Sequence, residues 1–354
     1  MTASYEYERA ETKIYRFRRS ANNMGPCEIK PFREEYLEDA ARLFAERVKI
    51  ERKLDPLLPP RFESPSTVSP LLKDLSAKSP GVAAVYNAKL VGFMMAWLLP
   101  SWRGRRSVWV PEWANAVASQ ERKQILQKMY TRLASEWVAN GCFNHLISAL
   151  AHDREIIDEL FWLGFGMAAV DAIRDLGDVE GPFAEVEIRR AGIRDLKVAV
   201  SLSHEQERYM ATSPTLMAFV EEPGSEWHKK MLSDPAQATW LASYQGEVVS
   251  RMRIGPSYED AAYVIVDDKT ASITAAFTKA HVRRQGIGAS LLKHSVDWAK
   301  AEGYARCAVD FEPENVLARS FWLRHFRPVC YALIRQVDPR IAWANGNNNR
   351  RRRA

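Results

Sequence analysis

The run Arg283-Arg284-Gln285-Gly286-Ile287-Gly288-Ala289 sets two arginines beside two closely spaced glycines, a combination suited to holding an oxyanion such as a pyrophosphate. Glycine has no Cβ, so successive backbone N–H groups can approach a ligand with no side chain between them. The arginines supply countercharge. Upstream, Ile273 to Thr278 is β-branched and aromatic and reads as a strand; downstream, Leu291, Leu292, Ser295, Val296, Trp298 and Ala299 recur at three- and four-residue spacing and read as a helix. A loop in that position meets the unpaired N–H groups and positive dipole end of the helix. Taken alone, the glycines fit an ordinary strand-to-helix turn equally well. A P-loop would carry Lys and then Ser or Thr where Ala289 and Ser290 stand, and a dinucleotide fingerprint would have three glycines early in a βαβ unit.

The flanking residues decide between the readings. With Arg283, Gly286 and Gly288, the chain resembles the GNAT superfamily of acetyl-CoA-dependent N-acetyltransferases, whose cofactor loop reads Arg or Gln, two residues, Gly, one residue, Gly or Ala. Asn315, Ala318, Phe321 and Trp322 sit at the spacing of the family's Asn-x-x-Ala-x-x-apolar-Tyr segment, just after the strand-like run Ala305 to Phe311. The resemblance covers roughly Glu185 to Ile341 and includes a hairpin, Trp240 to Tyr244, a Gln245-Gly246 turn, and Val248 to Ile254.

That resemblance implies attack by a neutral amine on the thioester of acetyl-CoA, with pantetheine between two splayed parallel strands, Ile273 to Thr278 and Arg306 to Phe311. It implies cofactor contacts from Arg283, Arg284, Gln285, Gly286, Ile287, Gly288 and Ala289 at the pyrophosphate. Backbone groups of Phe277 and Thr278, freed by a bulge, and the side chains of Asn315 and Trp322 complete the set. No metal is implied. The family's usual tyrosine acid falls on Trp322, whose indole cannot protonate a thiolate. Water, Tyr331 or Tyr263 would have to substitute, although a thiol of pKa about 8.5 is a tolerable leaving group. The Gly-Phe that follows in the family is replaced by His325-Phe326-Arg327. Candidate general bases are Glu312 and Glu314, which also read as solvated loop residues, and His281, which also reads as no more than the start of the turn; Glu221 and Glu222 would attract a cationic amine or simply lie in a solvated loop.

The chain has 354 residues, 47% of them hydrophobic, with 11 Trp, enough for two cores of common size. The net charge of +6 comes from its ends, five basic against three acidic residues before Glu28 and Arg350 to Arg353 at the close, so the body is neutral. This argues against nucleic acid as a partner, as does the isolation of the one other basic-aromatic cluster, Trp102 to Arg106. Cys27, Cys142, Cys307 and Cys330 form no Cys-x-x-Cys unit and suit a reducing compartment. The longest apolar run, Leu90 to Leu99, is too short to span a bilayer, and the N-terminus lacks a secretory hydrophobic region, so a cytoplasmic protein with no membrane partner is expected.

The two halves align at an offset of about 160 residues: Phe161-Trp162-Leu163 answers Phe321-Trp322-Leu323, and the Val82 to Met95 hairpin answers the one at Tyr244. At that offset Arg122 to Gln127 takes the place of the glycine loop, with Ile125 and Gln127 for the two glycines and Glu155 near the motif asparagine, so this copy should bind no cofactor. A helix from about Leu37 should end before Pro56, and Pro56 to Pro80 reads as a loop with a short helix around Leu71 to Leu75.

The expected architecture is mixed α/β: two tandem GNAT-like domains, each a mostly antiparallel sheet with splayed central parallel strands and helices on both faces. The boundaries are a flexible extension 1–27 (in which Met24 is an alternative start), a degenerate domain 28–178, a linker at Gly177 to Pro182, an acetyl-CoA-binding domain 183–341 and a disordered basic tail 342–354. The expected activity is acetyl transfer from acetyl-CoA to a primary amine of a small molecule or peptide N-terminus, by a monomer or homodimer. The alternative is a non-catalytic acetyl-CoA sensor or interaction module, which Trp322 favours.

Overall fold

The computed structural model describes residues 27–118, 121–218, 224–258 and 262–341. Residues 1–26 of the extension, the basic tail, Glu221 and Glu222 lie outside these residues. The first half runs β1 (Glu28–Pro31), α1 (Leu37–Leu54), α2 (Pro65–Lys78), β2 (Gly81–Tyr86), β3 (Lys89–Met95), β4 (Trp97–Trp102), β5 (Arg105–Val110), β6 (Asn115–Val117), α3 (Arg122–Ala139), β7 (Asn144–Leu150), α4 (Arg154–Trp162) and β8 (Gly166–Asp175). The second runs β9 (Glu187–Arg190), α5 (Leu196–Met210), α6 (Ser225–Ser233), β10 (Ala238–Tyr244), β11 (Glu247–Pro256), β12 (Thr270–Thr278), α7 (Ile287–Ala301), β13 (Arg306–Phe311), α8 (Val316–His325) and β14 (Arg327–Gln336). The order of elements repeats, with β3 and β4 together answering β11, and β5 and β6 together answering β12.

The repeated hairpins have a local cause. Asn87 and Ala88 (φ 48° and 61°) close β2 on β3, and Gln245 and Gly246 (φ 50° and 81°) close β10 on β11, the left-handed pair that matches strand twist in a two-residue turn. α1 buries Leu37, Ala41, Phe44 and Val48 on one stripe and ends at Leu54. α2 is longer than the expected short helix. Pro65 occupies its first turn, where no N–H is needed, and burial of Val68, Leu72 and Leu75 against α1 outweighs the backbone bond lost at Pro70.

One sheet per half is not what forms. Strands β1-β2-β3-β6 make a four-stranded sheet, and the other ten run β4-β5-β7-β14-β8-β13-β12-β11-β10-β9. The last strand of each half has entered the other's territory: β8 lies between β14 and β13, and β14 pairs with β7. Each terminal strand would otherwise end its sheet as an edge with unpaired N–H and C=O groups, and the exchange pairs both sides of both. The second half also sends Ala262 to Ile265, at the end of the β11–β12 connection, into the apolar cluster around Trp97, Trp113 and Phe93.

Two carboxyls receive that connection. Glu112 Oε1 accepts from Val264 N–H at 2.9 Å, and Asp171 Oδ1 accepts from Ala262 N–H at 3.1 Å. Both residues are buried. Burial pushes Glu112 up to about 7, and burial with the nearby charge of Asp310 pushes Asp171 up to about 8. A carboxyl whose pKa is raised by folding keeps its proton in the folded chain while the unfolded chain gives it up, so its contribution to stability is whole below about pH 4 and is lost as pH rises through 7 to 8. Denaturation midpoints measured from pH 5 to 9 should therefore fall toward alkaline pH in the wild type. They should fall less steeply in Asp171→Asn, which keeps the acceptor for Ala262; equal slopes would assign the proton balance to other groups.

Candidate functional site

The parallel pairing of β12 with β13 runs only from Thr270 opposite Arg306 to Ile273 opposite Val309. At that point β12 carries an extra residue: Arg253 of β11 faces Ala275 and Ile254 faces Ile273, so Thr274 bulges. Arg253 secures the bulge, its Nε donating to Thr274 Oγ1 at 2.6 Å and its Nη2 to Thr274 O at 3.4 Å. A bulge adds twist and bends its strand. Beyond it β12 continues beside β11 alone, and a cleft of about 640 Å³ opens between β12, α5, α7 and α8.

Lys279 N–H donates to Val249 O at 2.9 Å, which fixes the alternation along β12. Phe277 faces β11 and its carbonyl also accepts from Ser250 Oγ at 2.8 Å. The N–H and C=O of Ala276, and the N–H of Thr278, therefore face the cleft. The Thr278 carbonyl accepts from Arg283 Nε at 2.8 Å.

At the other end of the cleft Gly286 precedes α7 with φ +87°, a conformation that side chains disfavour. A Cβ there would also lie 2.5 Å from the Pro182 carbonyl oxygen, because the segment joining the halves crosses the loop and is tied to α7 by Ala184 N–H donating to Ser290 Oγ at 3.0 Å. Glu180, Gly181 and Pro182 thereby become part of the cleft wall. The N–H groups of Ile287, Gly288 and Ala289 open α7 and have no acceptor among the described residues. Arg283, Arg284, Gly286, Ile287, Gly288 and Ala289 all line the cleft, as do Phe277 and Thr278, whereas Gln285 is exposed outside it. Arg283 is turned back, its guanidinium 4.0 Å from the ring centre of Tyr209.

Asn315 caps α8, its Oδ1 accepting from Ala318 N–H at 3.3 Å and from the Tyr209 hydroxyl at 3.1 Å, while its Nδ2 donates to Met210 Sδ at 3.3 Å. Trp322 is buried on the cleft wall, packed at 4.8 Å on the Phe321 ring and 5.5 Å on Phe326. Tyr209 thus places a phenol in the cleft, and no motif announced it. Of the tyrosines that sequence suggested, Tyr263 packs on Trp97 and Trp113, and Tyr331 lies in β14; neither lines the cleft.

The three candidate bases also stand outside the lining. Glu312 meets Arg103, from the β4–β5 turn of the first half, at 3.3 Å; burial raises its pKa and the arginine opposes the rise. The basic-aromatic cluster at Trp102 is accordingly a hairpin tip, with Arg103 also stacked 4.6 Å over Trp102. Glu314 is half-buried beside it, and exposed His281 faces Glu247 at 3.7 Å.

The corresponding place in the first half is filled, leaving about 20 Å³. There the left-handed residue before the helix is Glu121 (φ 50°), so Glu121 answers Gly286, and Ile125 is a core residue one turn into α3 rather than the counterpart of a glycine. The residue preceding α4 is Asp153, so it and not Glu155 answers Asn315. An alignment on the loop is four residues out of step at α3, because α3 starts at Arg122, earlier than that alignment implies. Arg122 Nη1 donates to Asp153 Oδ1 at 2.8 Å, Arg47 Nη2 to Asp153 Oδ2 at 2.8 Å, and Arg122 lies 3.5 Å from Glu155.

Among the described residues no group of three or more His, Cys, Asp or Glu is placed to hold a metal ion, and no helix is long and apolar enough to cross a membrane. Residues 202–326 match the model of the acetyltransferase (GNAT) family. No curated protein matches the sequence. Among solved structures, a GCN5-related N-acetyltransferase from Sphaerobacter thermophilus is similar over 87% of this chain and 95% of its own, at 12% identity and a TM-score of 0.55. The GCN5-related glucosamine N-acetyltransferase region of a fungal multi-domain GH3 beta-N-acetylglucosaminidase is similar over 88% of this chain at 12% identity and a TM-score of 0.53; this chain spans 38% of that protein. The likeness in fold extends across both halves, while the family match falls on the half that holds the open cleft. Residues 202–326 are thus similar to the GNAT acetyltransferase family, and the chain over most of its length shares the fold of a GCN5-related N-acetyltransferase.

Proposed function

We propose that the chain is an N-acetyltransferase whose second half, residues 183–341, takes acetyl-CoA into the cleft and acetylates a primary amine, and that the first half, 28–178, is a degenerate GNAT-like copy that shapes it. The observation that carries this reading is the coincidence of three unused binding elements in one cleft: the free first-turn N–H groups of α7, the left-handed glycine before them, and the unpaired edge of β12 at Ala276 and Thr278. Each fits a part of a CoA thioester. The α7 N–H groups suit a pyrophosphate, and the alternating edge of β12 suits the amides of pantetheine.

Bound acetyl-CoA supplies a thioester carbonyl carbon that an amine can attack. The chain's part is to position, polarise and move protons. The outward N–H of Thr278 or Ala276 is the available donor for an oxyanion forming at the splay. The Tyr209 hydroxyl, held by Asn315 with the Arg283 guanidinium stacked over its ring, is the available proton donor for a departing sulfur. Trp322, at the motif's tyrosine position, serves as an apolar wall. Glu312, Glu314 and His281 have no assigned proton transfer at the reacting atoms, so the amine reaches the cleft already neutral or loses its proton to solvent.

Calorimetry with acetyl-CoA tests the cofactor assignment. Wild type should bind, Gly286→Val should lose affinity by about 100-fold or more, and Glu121→Gly at the matching turn of the first half should leave it unchanged; wild type without affinity would end the reading. Tyr209→Phe tests the acid. Its kcat should fall by about 100-fold at neutral pH with acetyl-CoA affinity nearly unaltered, and the deficit should narrow above about pH 8.5, where a thiolate departs unaided. A variant as active as wild type at pH 7 would remove Tyr209 from the mechanism.

A further inference from the structure

The wall of the cleft formed by β11 carries a charge that acetyl-CoA binding leaves unused. Arg251 projects from the middle of β11, opposite Phe277 of β12, and lies beneath α5 with 7% of its surface exposed. Its Nη2 donates to Gln206 Oε1 at 2.9 Å and to Ser203 Oγ at 3.3 Å, and its Nη1 to Ala199 O at 3.4 Å; Nε has no partner. All of these acceptors are neutral. Among the described residues no carboxylate lies within ion-pair distance of it; Glu207, whose Oε1 accepts from the Ser203 hydroxyl at 3.5 Å, acts on it through space without a direct bond. Arg283, lining the same cleft, likewise has no ion-pair partner among the described residues.

An unpaired buried guanidinium is costly unless something else uses it. The fold itself does not require one here. The β2–β3 hairpin of the first half has the same turn and the same bulge as β10–β11, since Ala84 pairs with Gly92 across a register shift as Ala242 pairs with Ser250. In that alignment Arg251 answers Phe93, which is wholly buried in apolar surroundings, and Arg253 answers Met95. Arg253 has the bulge at Thr274 to hold. Arg251 has only neutral bonds to α5, and it appears in the half whose cleft is open. Burial together with the charge of Arg253 pulls it down to about 10, against the opposing charge of Glu207, so it remains a cation at neutral pH.

We propose that Arg251 anchors an oxyanion on the acyl acceptor, so that the substrate is a primary amine that also carries a carboxylate or phosphate. The inference rests on the acetyl-CoA reading for the position of the reacting amine. A guanidinium offers two parallel N–H donors to either group, and an entering oxyanion would take over the Nη2 donor now given to the Gln206 amide.

Acetyl transfer to matched pairs separates the possibilities: α-amino acids against their carboxamides, and amino-sugar phosphates against the free amino sugars. Wild type should favour the anionic member of at least one pair by about 100-fold in kcat/KM, and whichever pair responds identifies carboxylate or phosphate. Arg251→Met, which puts an apolar side chain here as the first half does so that the site still packs, should abolish that preference through KM while acetyl-CoA affinity and turnover of the neutral amine stay unchanged. Arg251→Lys should restore part of it. A purely structural arginine would depress every amine and acetyl-CoA binding together. That result, or a preference that survives Arg251→Met, or no preference in any pair, overturns the proposal. Should wild type fail to bind acetyl-CoA, the cofactor reading falls separately, and calorimetry of the same amines alone still decides: binding of the anionic member by wild type but not by Arg251→Met upholds the subsite, and equal or absent binding overturns it.

Discussion

The pairing of β12 with β13 lasts four residues, and the cleft exists because it stops there. Two strands can part without loss only if each keeps a neighbour on its other side. β12 keeps β11, with Thr274 pushed out of register and held by Arg253; β13 keeps β8, with Asp310 opposite Asp171 and Phe311 opposite Val170 at the level where the parting has begun. β8 belongs to the first half. The exchange of final strands is therefore more than a way of covering edges, since it supplies the strand that lets β13 stand apart from β12 without exposing both of its sides. The faces are then furnished by helices whose ends converge on the gap: the start of α7, the end of α5 and the capped start of α8.

The first half uses the same scaffold and closes it. Its own break between β5 and β6, at Glu112 to Ala114, takes in the 262–265 segment of the second half, and the start of α3 is occupied by Arg122 bound to Asp153. A helix N-terminus with left-handed Glu121 before it and a buried carboxylate nearby has its anion built in. The cost of closing this site by charges is offset by pairing them with one another, and the remaining space is too small for a ligand.

Much of this was legible in the sequence. Gly286 had to be glycine because of both its φ and the carbonyl of Pro182, and the apolar spacing from Leu291 to Ala299 fixed the helix behind it. Asn315 could be recognised because a cap acts within its own turn. What escaped was non-local. Nothing in β8 or β14 records which half each will pair with, since an alternating strand fits either edge. Tyr209 and Asn315 are 106 residues apart and meet only when α5 crosses the cleft. Glu312, read as a free loop carboxylate, is engaged by an arginine 209 residues away. Arg251 and Arg253 did leave a trace: two arginines on one face of an interior strand are an expensive choice, and their spacing of two residues was visible in the run Val248 to Ile254.

The two clefts differ most plainly in how their charges are balanced. In the first half Arg47 and Arg122 meet Asp153, so cation and anion are both supplied by the chain. In the second half Asn315, which is neutral, stands where Asp153 does, and the α7 N-terminus, Arg251 and Arg283 all face the cleft without a carboxylate partner among the described residues. Replacing the aspartate by asparagine keeps the helix cap, because either side chain presents an oxygen to the first-turn N–H, but it removes the internal anion. The open cleft is thus left with an excess of positive charge at separate points along its length. Such an arrangement costs folding energy in the empty protein and returns it when anionic groups enter. An acidic nucleotide cofactor and an acidic acceptor, as proposed above, would each bring negative charge to such a cleft.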